Sequence, residues 1–449
     1  MKTERFFAIL ILSLLAFSCS KDLVTNEPDR LADSESMLKS ASPHMKIAVM
    51  SDIHYLAPSL LPAGAAQGIP FQTYLMYDPK LIEFSVPIFQ KAIEEIVAAK
   101  PDILLIPGDM TKDGELVSHQ EMVYWLKEIA QNGIKVFVVP GNHDVSNPEA
   151  MGYTETSASS VQTISAADFA ELYEDFGYGA AISRDMNSLS YVCQPFSNVW
   201  ILGIDACKYD ENVATATVSG KIREGTMTWI KERLAEAKKK NITVYTMMHH
   251  GLVEHYEGQT ILDPGYVVDN WESAADELID AGLRFLFTGH NHANDIAMRV
   301  KDENVLYDIE TGSLVTPPSP FRLIRTDPNA MYVDTEHVTS IDVPFPPGMD
   351  FITYSDLFLS AHLDLIFGHM FSNPPYSVPS PYKEEIVPFF RDAFMAHYAG
   401  DEVITPEIME QVAYVGGLSP TLGWALGSLW SDLPPADGQL IIDMRKKQR

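Results

Sequence analysis

Five short apolar runs in this chain each end in a cluster of histidine, aspartate or asparagine. The clusters are Asp52-Ile53-His54, Gly108-Asp109, Gly141-Asn142-His143-Asp144, His249-His250-Gly251 and Gly289-His290-Asn291-His292. Sites in α/β sheets form at the carboxyl ends of strands. The pattern therefore favours a fold that brings five strand ends to one place.

Segments with strand and helix patterns alternate between residues 45 and 345. The segment VPIFQKAIEEIVAAK, for example, places Ile88, Ala92 and Ile96 on one helical face. The neighbouring runs SLSYVCQPF and NVWILGIDA are typical of a hairpin. Such alternation predicts a layered α/β domain over 45–345. A linker-like stretch and amphipathic segments then predict a helical C-terminal region over 346–449.

The strand-end clusters contain too many metal-ligand side chains for one catalytic zinc, which uses three protein ligands. The candidates are Asp52, His54, Asp109, Asn142, His249, His290 and His292. Seven donors suit two ions that share a bridging carboxylate, and nitrogen and oxygen donors without thiolate favour Zn, Fe or Mn. Paired metals stabilise both the attacking and the leaving oxygen of an in-line displacement. Phosphoryl transfer is the reaction that most needs this arrangement.

Two of these clusters carry their ligands two residues apart. Asp52 and His54 form one such pair, and His290 and His292 form the other. Side chains at positions i and i+2 of an extended chain point the same way. Each pair is therefore expected to converge on one point from extended backbone.

The order Asp-x-His, Gly-Asp, Gly-Asn-His-Asp, His, Gly-His-x-His resembles that of the calcineurin-like metallophosphoesterase superfamily. The single motifs are weak, but all five in order are specific, and the resemblance covers about residues 46–315. It implies a four-layer α-β-β-α sandwich and a dinuclear centre of Mn, Fe or Zn. The implied activity is hydrolysis of a small-molecule phosphoester, with a metal-bridging hydroxide as nucleophile.

The resemblance also implies a role for each motif residue. It divides the ligands between two ions: Asp52, His54 and His292 for the first, Asn142, His249 and His290 for the second, and Asp109 as the bridge.

The same resemblance implies catalytic roles beside the metals for two residues. His143 would lie beside the phosphate, where it would donate to an oxygen or protonate the leaving group. Asp144 would orient His143 through a hydrogen bond. The adjacent pair His249 and His250 offers two candidates for one ligand position, and we expect His249 to fill it, with His250 behind it or on the substrate side.

The residues after Gly108-Asp109 distinguish between subfamilies. They read Met-Thr-Lys-Asp-Gly, without the phosphate-binding Arg of serine/threonine protein phosphatases. Lys112 stands where purple acid phosphatases place a metal-binding Tyr. Asp144 after Gly-Asn-His is common in bacterial phosphodiesterase-like members, so we expect a phosphodiesterase, with a phosphomonoesterase as the alternative. A non-catalytic tethered binding protein would be expected to have lost a ligand, and every ligand position is filled.

The amino terminus resembles a bacterial lipoprotein signal. Lys2 and Arg5 precede a short apolar segment that ends before Cys19. The expectation is a signal peptide over 1–18, a lipid on Cys19, a flexible tether over 19–44, and a location on the bacterial cell envelope. A plain secretory signal is the alternative. The net charge of −29 argues against a nucleic-acid partner, because polyanions would be repelled.

Several other residues and loops have open or weaker interpretations. Cys193 and Cys207 could pair or remain buried thiols. His119 is expected at the surface, His255 in a loop or against substrate, and His397 at the surface or in the core. The long connections 55–82 and 145–163 flank two motif strands, which suggests a lid over the pocket.

Overall fold

The computed structural model describes residues 44–62, 68–400 and 402–445. The predicted signal peptide over 1–18 and the predicted tether up to residue 43 lie outside the described residues. Among the helices that are described, none is both long enough and apolar enough to cross a membrane.

Six strands form the first β-sheet, in the spatial order β15-β14-β13-β1-β2-β3. In chain order they are β1 (Lys46–Val49), β2 (Ile103–Ile106), β3 (Lys135–Val138), β13 (Pro320–Thr326), β14 (Ala330–His337) and β15 (Gln439–Asp443). The neighbouring strands β1, β2 and β3 are parallel, and β3 lies at the edge of the sheet. Every residue of β2 is buried, as expected of a strand covered on both faces.

Seven strands form the second sheet, in the order β11-β12-β10-β9-β8-β7-β6. They are β6 (Ala181–Arg184), β7 (Tyr191–Phe196), β8 (Val199–Ile204), β9 (Thr243–Met248), β10 (Phe285–Thr288), β11 (Ile296–Lys301) and β12 (Asn304–Glu310). Strands β8, β9, β10 and β12 are parallel, and β7 and β8 form the predicted antiparallel hairpin. A separate hairpin consists of β4 (Met151–Tyr153) and β5 (Ala158–Ser160).

Helices cover the outer faces of the two sheets. The helices before the C-terminal region are α1 (Ile69–Leu75), α2 (Ser85–Ala99), α3 (Leu116–Gln131), α4 (Ala166–Leu172), α5 (Glu224–Lys240), α6 (Gln259–Leu262) and α7 (Trp271–Ala281). Side chains of α2 and α3 share one apolar core with both sheets, and α5 and α7 pack with the second sheet in another. The arrangement is the predicted four-layer sandwich.

The C-terminal region is helical but ends in a strand. Its helices are α8 (Phe351–Ser372), α9 (Tyr382–Ala399), α10 (Pro406–Leu418) and α11 (Pro420–Leu429). After α11 the chain returns to the first sheet, where β15 pairs antiparallel with β14. The region is therefore built into the sandwich.

The sequence leaves open whether Cys193 and Cys207 pair, and in the structure both are free, buried thiols. Cys193 lies on β7, and its Sγ donates to the carbonyl oxygen of Gly177. The Sγ of Cys207 donates to the carbonyl oxygen of Pro140, 3.3 Å away. Of the two alternatives, the structure therefore shows the two buried thiols.

The place of β15 in the core predicts different effects for two neighbouring isoleucines. Ile442 is 1% exposed and Ile441 is 68% exposed. Ile442→Ala should lower the free energy of unfolding by about 2–5 kcal/mol, because it leaves a cavity. Ile441→Ala, the matched control, should change it by less than about 0.5 kcal/mol. Urea denaturation followed by circular dichroism measures both, and equal losses would contradict the pairing of β15 with the sheet.

Candidate metal centre

The predicted ligands lie in loops at the carboxyl ends of five strands. Strands β1, β2 and β3 of the first sheet lead to Asp52 and His54, to Asp109 and to Asn142. Strands β9 and β10 of the second sheet lead to the histidine ligands. Parallel strands within each sheet direct these loops to the same edge, so the centre lies where the two sheets meet.

The first group of ligands consists of Asp52, His54 and His292, which offer donor atoms within 4.8 Å of one another. The Nε2 atoms of His54 and His292 are 3.2 Å apart, and His292 Nε2 lies 3.4 Å from Asp52 Oδ1. Asp52 and His54 are fully buried. The structure thus brings together the three residues predicted for one metal.

The second group contains Asp109, His249 and His290, also within 4.8 Å. His249 Nε2 lies 3.0 Å from Asn142 Oδ1 and 3.3 Å from Asp109 Oδ2. The other ring nitrogen of His249 lies 2.8 Å from the carbonyl oxygen of Pro107, a contact that fixes the ring orientation. Asn142 therefore joins the group through His249.

The carboxylate of Asp109 lies between the two groups. Its Oδ2 is 3.9 Å from His54 Nε2 in the first group and 3.3 Å from His249 Nε2 in the second. Burial raises the pKa of Asp109, but the imidazoles of His249 and His143 outweigh burial and hold that pKa well below its usual value. An anionic oxygen that faces both groups has the position of a bridging ligand.

The donor set fits two metal ions. Asp52 Oδ2 accepts hydrogen bonds from Ser51 Oγ at 2.6 Å and from the backbone nitrogen of His290 at 3.0 Å. Asp52 Oδ1 is buried and has no hydrogen-bond partner. Leaving such an oxygen unpaired is costly, and a cation would satisfy it. Nitrogen and oxygen donors without thiolate match Zn, Fe and Mn.

The ligand loops turn sharply through left-handed backbone. The φ angles are 51° at Asp52, 43° at His54, 46° at Asp109, 81° at His290 and 66° at His292. Non-glycine residues in this region cost about 1–3 kcal/mol each. The expectation that the i, i+2 pairs converge from extended chain is therefore wrong. Turns bring Asp52 and His54 into one group and place His290 and His292 in different groups.

Two glycines allow the ligands to approach the neighbouring loop. A Cβ at Gly141 would overlap Asp109 Oδ1, and a Cβ at Gly289 would overlap Asp52 Oδ2. Any side chain at these positions would displace a ligand carboxylate. The glycines of the Gly-Asn and Gly-His motifs are thus required by close packing.

His143 lies beside the metal ligands and is held by a carboxylate that the sequence interpretation missed. Its Nε2 is 4.0 Å from Asp109 Oδ2, and its Nδ1 is 2.8 Å from Asp113 Oδ1. Burial lowers the pKa of His143, but Asp109 and Asp113 outweigh it and raise that pKa to about 9. The side chain is 26% exposed, so substrate can reach it.

The prediction that Asp144 orients His143 through a hydrogen bond is wrong. The Asp144 carboxylate accepts from the backbone nitrogens of Gly141 at 2.9 Å, Met110 at 3.2 Å and Thr111 at 3.0 Å. Thr111 Oγ1 donates as well, at 2.9 Å. Asp144 therefore joins the loops that follow β2 and β3, and Asp113 is the carboxylate that contacts the His143 ring.

Two further histidines near the centre have supporting positions. His250 Nε2 lies 2.9 Å from the carbonyl oxygen of Val218, so His249 is the member of the pair that faces the other ligands. His119 was expected at the surface, but that prediction is wrong. It is fully buried, with Nδ1 2.7 Å from the Tyr173 hydroxyl and Nε2 2.9 Å from the carbonyl oxygen of Asp144.

The two long connections pack against each other beside His143. The ring of Phe71 in α1 lies 5.1 Å from the ring of Tyr153 in β4. The buried ammonium of Lys112 lies 4.2 Å from the Tyr74 ring centroid and pairs with Asp113. The connections therefore form one wall, and Lys112 joins it to Asp113, the partner of His143.

A family model for calcineurin-like phosphoesterases matches residues 45–294. No curated protein gives a significant match to the sequence.

Several solved structures resemble this one at low sequence identity. A dimetal phosphatase from Danio rerio is 12% identical, with a TM-score of 0.45 over 65% of this chain and 96% of that chain. Purple acid phosphatase from yellow lupin seeds is 9% identical, with a TM-score of 0.40 over 68% of this chain and 53% of that one. GAP50, the anchor in the inner membrane complex of Plasmodium, is 10% identical, with a TM-score of 0.34 over 71% and 94%.

The positions of His249 and His250 predict that replacing each residue by alanine has a different effect on metal content. His249→Ala should lower bound metal from two ions per chain to one or none, because its ring faces Asn142 and Asp109. His250→Ala, the matched control, should retain two ions because its ring faces a backbone carbonyl. Plasma emission spectrometry of the folded variants measures the content. Equal metal loss in both variants would contradict the assignment of His249.

Proposed function

The chain belongs to the calcineurin-like phosphoesterase family of metal-dependent phosphoester hydrolases, and we propose that it is a phosphodiesterase acting on small molecules. One observation carries the proposal. Asp109 Oδ2 faces a ligand of each metal group, and His143 Nε2 lies 4.0 Å from the same oxygen. A phosphoryl group held at this point would meet both the metals and a proton donor.

The metal ions of this centre are proposed to be Mn, Fe or Zn. Their ligands would be Asp52, His54 and His292 on one side, Asn142, His249 and His290 on the other, and Asp109 between them. When bound, such ions supply Lewis acidity and ionise water near neutral pH. The chain holds the ligands in loops anchored to buried strands, so that they need not reorganise during the reaction.

His143 is proposed to act on the substrate through Nε2. Its Nδ1 is engaged by Asp113, which fixes the ring and leaves Nε2 directed toward the centre. From there Nε2 can donate to a phosphoryl oxygen or transfer a proton to the departing oxygen. Asp113 is a positioning residue in this scheme, since it acts through His143.

The charges beside the centre favour a diester over a monoester. Lys80 pairs with Asp78 at 3.3 Å, and Lys112 pairs with Asp113. Their charges are therefore already offset by carboxylates. A monoester dianion carries more negative charge than a diester and gains more from an unpaired cation. Phosphomonoester hydrolysis at the same centre remains the second candidate.

A panel of substrates tests the proposed activity. Bis-p-nitrophenyl phosphate should be hydrolysed with a higher kcat/KM than p-nitrophenyl phosphate by the enzyme loaded with Mn, Fe or Zn. An Asp109→Asn variant serves as the inactive control, since it removes the negative charge of the shared ligand. A higher kcat/KM for the monoester would instead support the phosphomonoesterase, and no hydrolysis of either ester by the metal-loaded enzyme would refute both.

The leaving group tests the role of His143. His143→Ala should retain metal and lower kcat by about 10²–10⁴-fold for an alkyl phosphodiester, whose alkoxide needs a proton to depart. The loss should be smaller for a p-nitrophenyl ester, whose phenolate leaves unprotonated. Asp113→Asn should show the same dependence to a smaller extent. Equal losses for both esters would mean that His143 binds the phosphoryl group without protonating the leaving group.

A further inference from the structure

A second group of carboxylates converges away from the dinuclear centre. Asp295 precedes β11, Glu402 follows α9, and Asp432 and Asp437 follow α11. Each offers an oxygen, and these four oxygens lie within 4.8 Å of one another. The group therefore joins the start of one strand of the second sheet to three points in the C-terminal region.

Two carboxylate oxygens in this group are buried without a hydrogen-bond partner. Asp295 Oδ1 lies 2.8 Å from His255 Nδ1, and Glu402 Oε1 lies 2.6 Å from His397 Nδ1. The remaining oxygens, Asp295 Oδ2 and Glu402 Oε2, have no such partner, although both side chains are almost completely buried. An oxygen removed from water without a partner bears its full desolvation penalty.

The histidines of this region do not supply enough positive charge for four carboxylates. His255 is shared with other acids, because its Nε2 lies 3.6 Å from Glu310 Oε2 and 3.8 Å from Asp308 Oδ2. His397 faces both Glu402 and Asp295. The buried guanidinium of Arg322 adds a positive charge and donates to the backbone carbonyl oxygens of Asp437 and Asp295. The carboxylates still outnumber these positive groups, and a bound cation would offset the difference.

We propose that Asp295, Glu402, Asp432 and Asp437 bind a calcium ion. All four donors are oxygens, which suit a hard cation. Calcium accepts six to eight oxygen ligands in flexible geometry, whereas magnesium is seldom enclosed by protein ligands alone. A transition metal would recruit His397, but both of its ring nitrogens are engaged, Nδ1 by Glu402 and Nε2 by Asn291 at 3.1 Å.

The calcium ion links the C-terminal helices to the dinuclear centre. Asn291 lies between the predicted ligands His290 and His292, and its side chain contacts His397. His397 in turn contacts Glu402, a ligand of the calcium. The site therefore supports the loop that carries two ligands of the dinuclear centre.

Direct binding of calcium tests the site. The full mature chain, dialysed with manganese so that the dinuclear centre stays loaded, is equilibrated with ⁴⁵Ca. We expect one calcium ion per chain at or below about 1 mM and a rise in Tm of about 2–4 °C. The same concentration of magnesium should give a smaller rise. Binding of no calcium by the wild-type chain would overturn the proposal.

Amide variants locate the ion. Asp432→Asn removes one charge from the least buried of the four ligands and should weaken calcium binding at least tenfold. Glu402→Gln should also weaken calcium binding at least tenfold, and it is the variant to measure if Asp432→Asn does not fold. Glu257→Gln, an exposed carboxylate beside Ser431, is the matched control and should bind like wild type. Wild-type affinity in both ligand variants would place the ion elsewhere. Because hydrolysis is not the readout, the result is independent of the proposed activity.

Discussion

The Asp109 carboxylate is the interaction on which the rest of the centre depends. One oxygen accepts a hydrogen bond from the backbone nitrogen of His143 at 2.9 Å, and the other faces His54 and His249. A fully buried anion at the end of β2 is tolerable only if cationic or hydrogen-bonding groups surround it. The two sheets meet there and supply those groups, and the same groups can hold metal ions. The buried charge that requires compensation therefore lies at the candidate metal site itself.

The geometry that surrounds this anion is itself strained. Left-handed backbone at five ligands costs about 1–3 kcal/mol each. Such strain persists only where the surroundings determine the conformation, and short strands such as β2, buried on every residue, provide that rigidity. Asp144 contributes by accepting backbone hydrogen bonds from the loops after β2 and β3. Its carboxylate stabilises the turns that present Asp109 and Asn142.

Much of this arrangement could be predicted from the order of motifs along the chain, because strand ends in a parallel sheet must meet at one edge. The partners of individual side chains could not. Asp144 follows His143 in the sequence, and Asp113 lies on the loop after β2. Only the turn geometry determines which of these carboxylates reaches the His143 ring. His119 lies on the inner face of α3 because Tyr173, 54 residues later, provides a polar contact in the core. The strand β15 is five residues long and had no pattern to distinguish it from a helix end.

The C-terminal region is more than an addition to the sandwich. It enters the first sheet through β15. It contacts the second sheet on either side of Asp295, where the backbone nitrogen of Asn294 donates to the carbonyl oxygen of Tyr398 in α9 and that of Ile296 donates to Asp437. Its contact with the dinuclear centre passes through His397 and Asn291. Since Asn291 lies between two ligands whose backbone is strained, a displacement of α9 would act on His290 and His292, which belong to different ligand groups. It would also act on Asp52, which accepts a hydrogen bond from the His290 backbone nitrogen. The region is thus positioned to influence both groups of metal ligands through one loop.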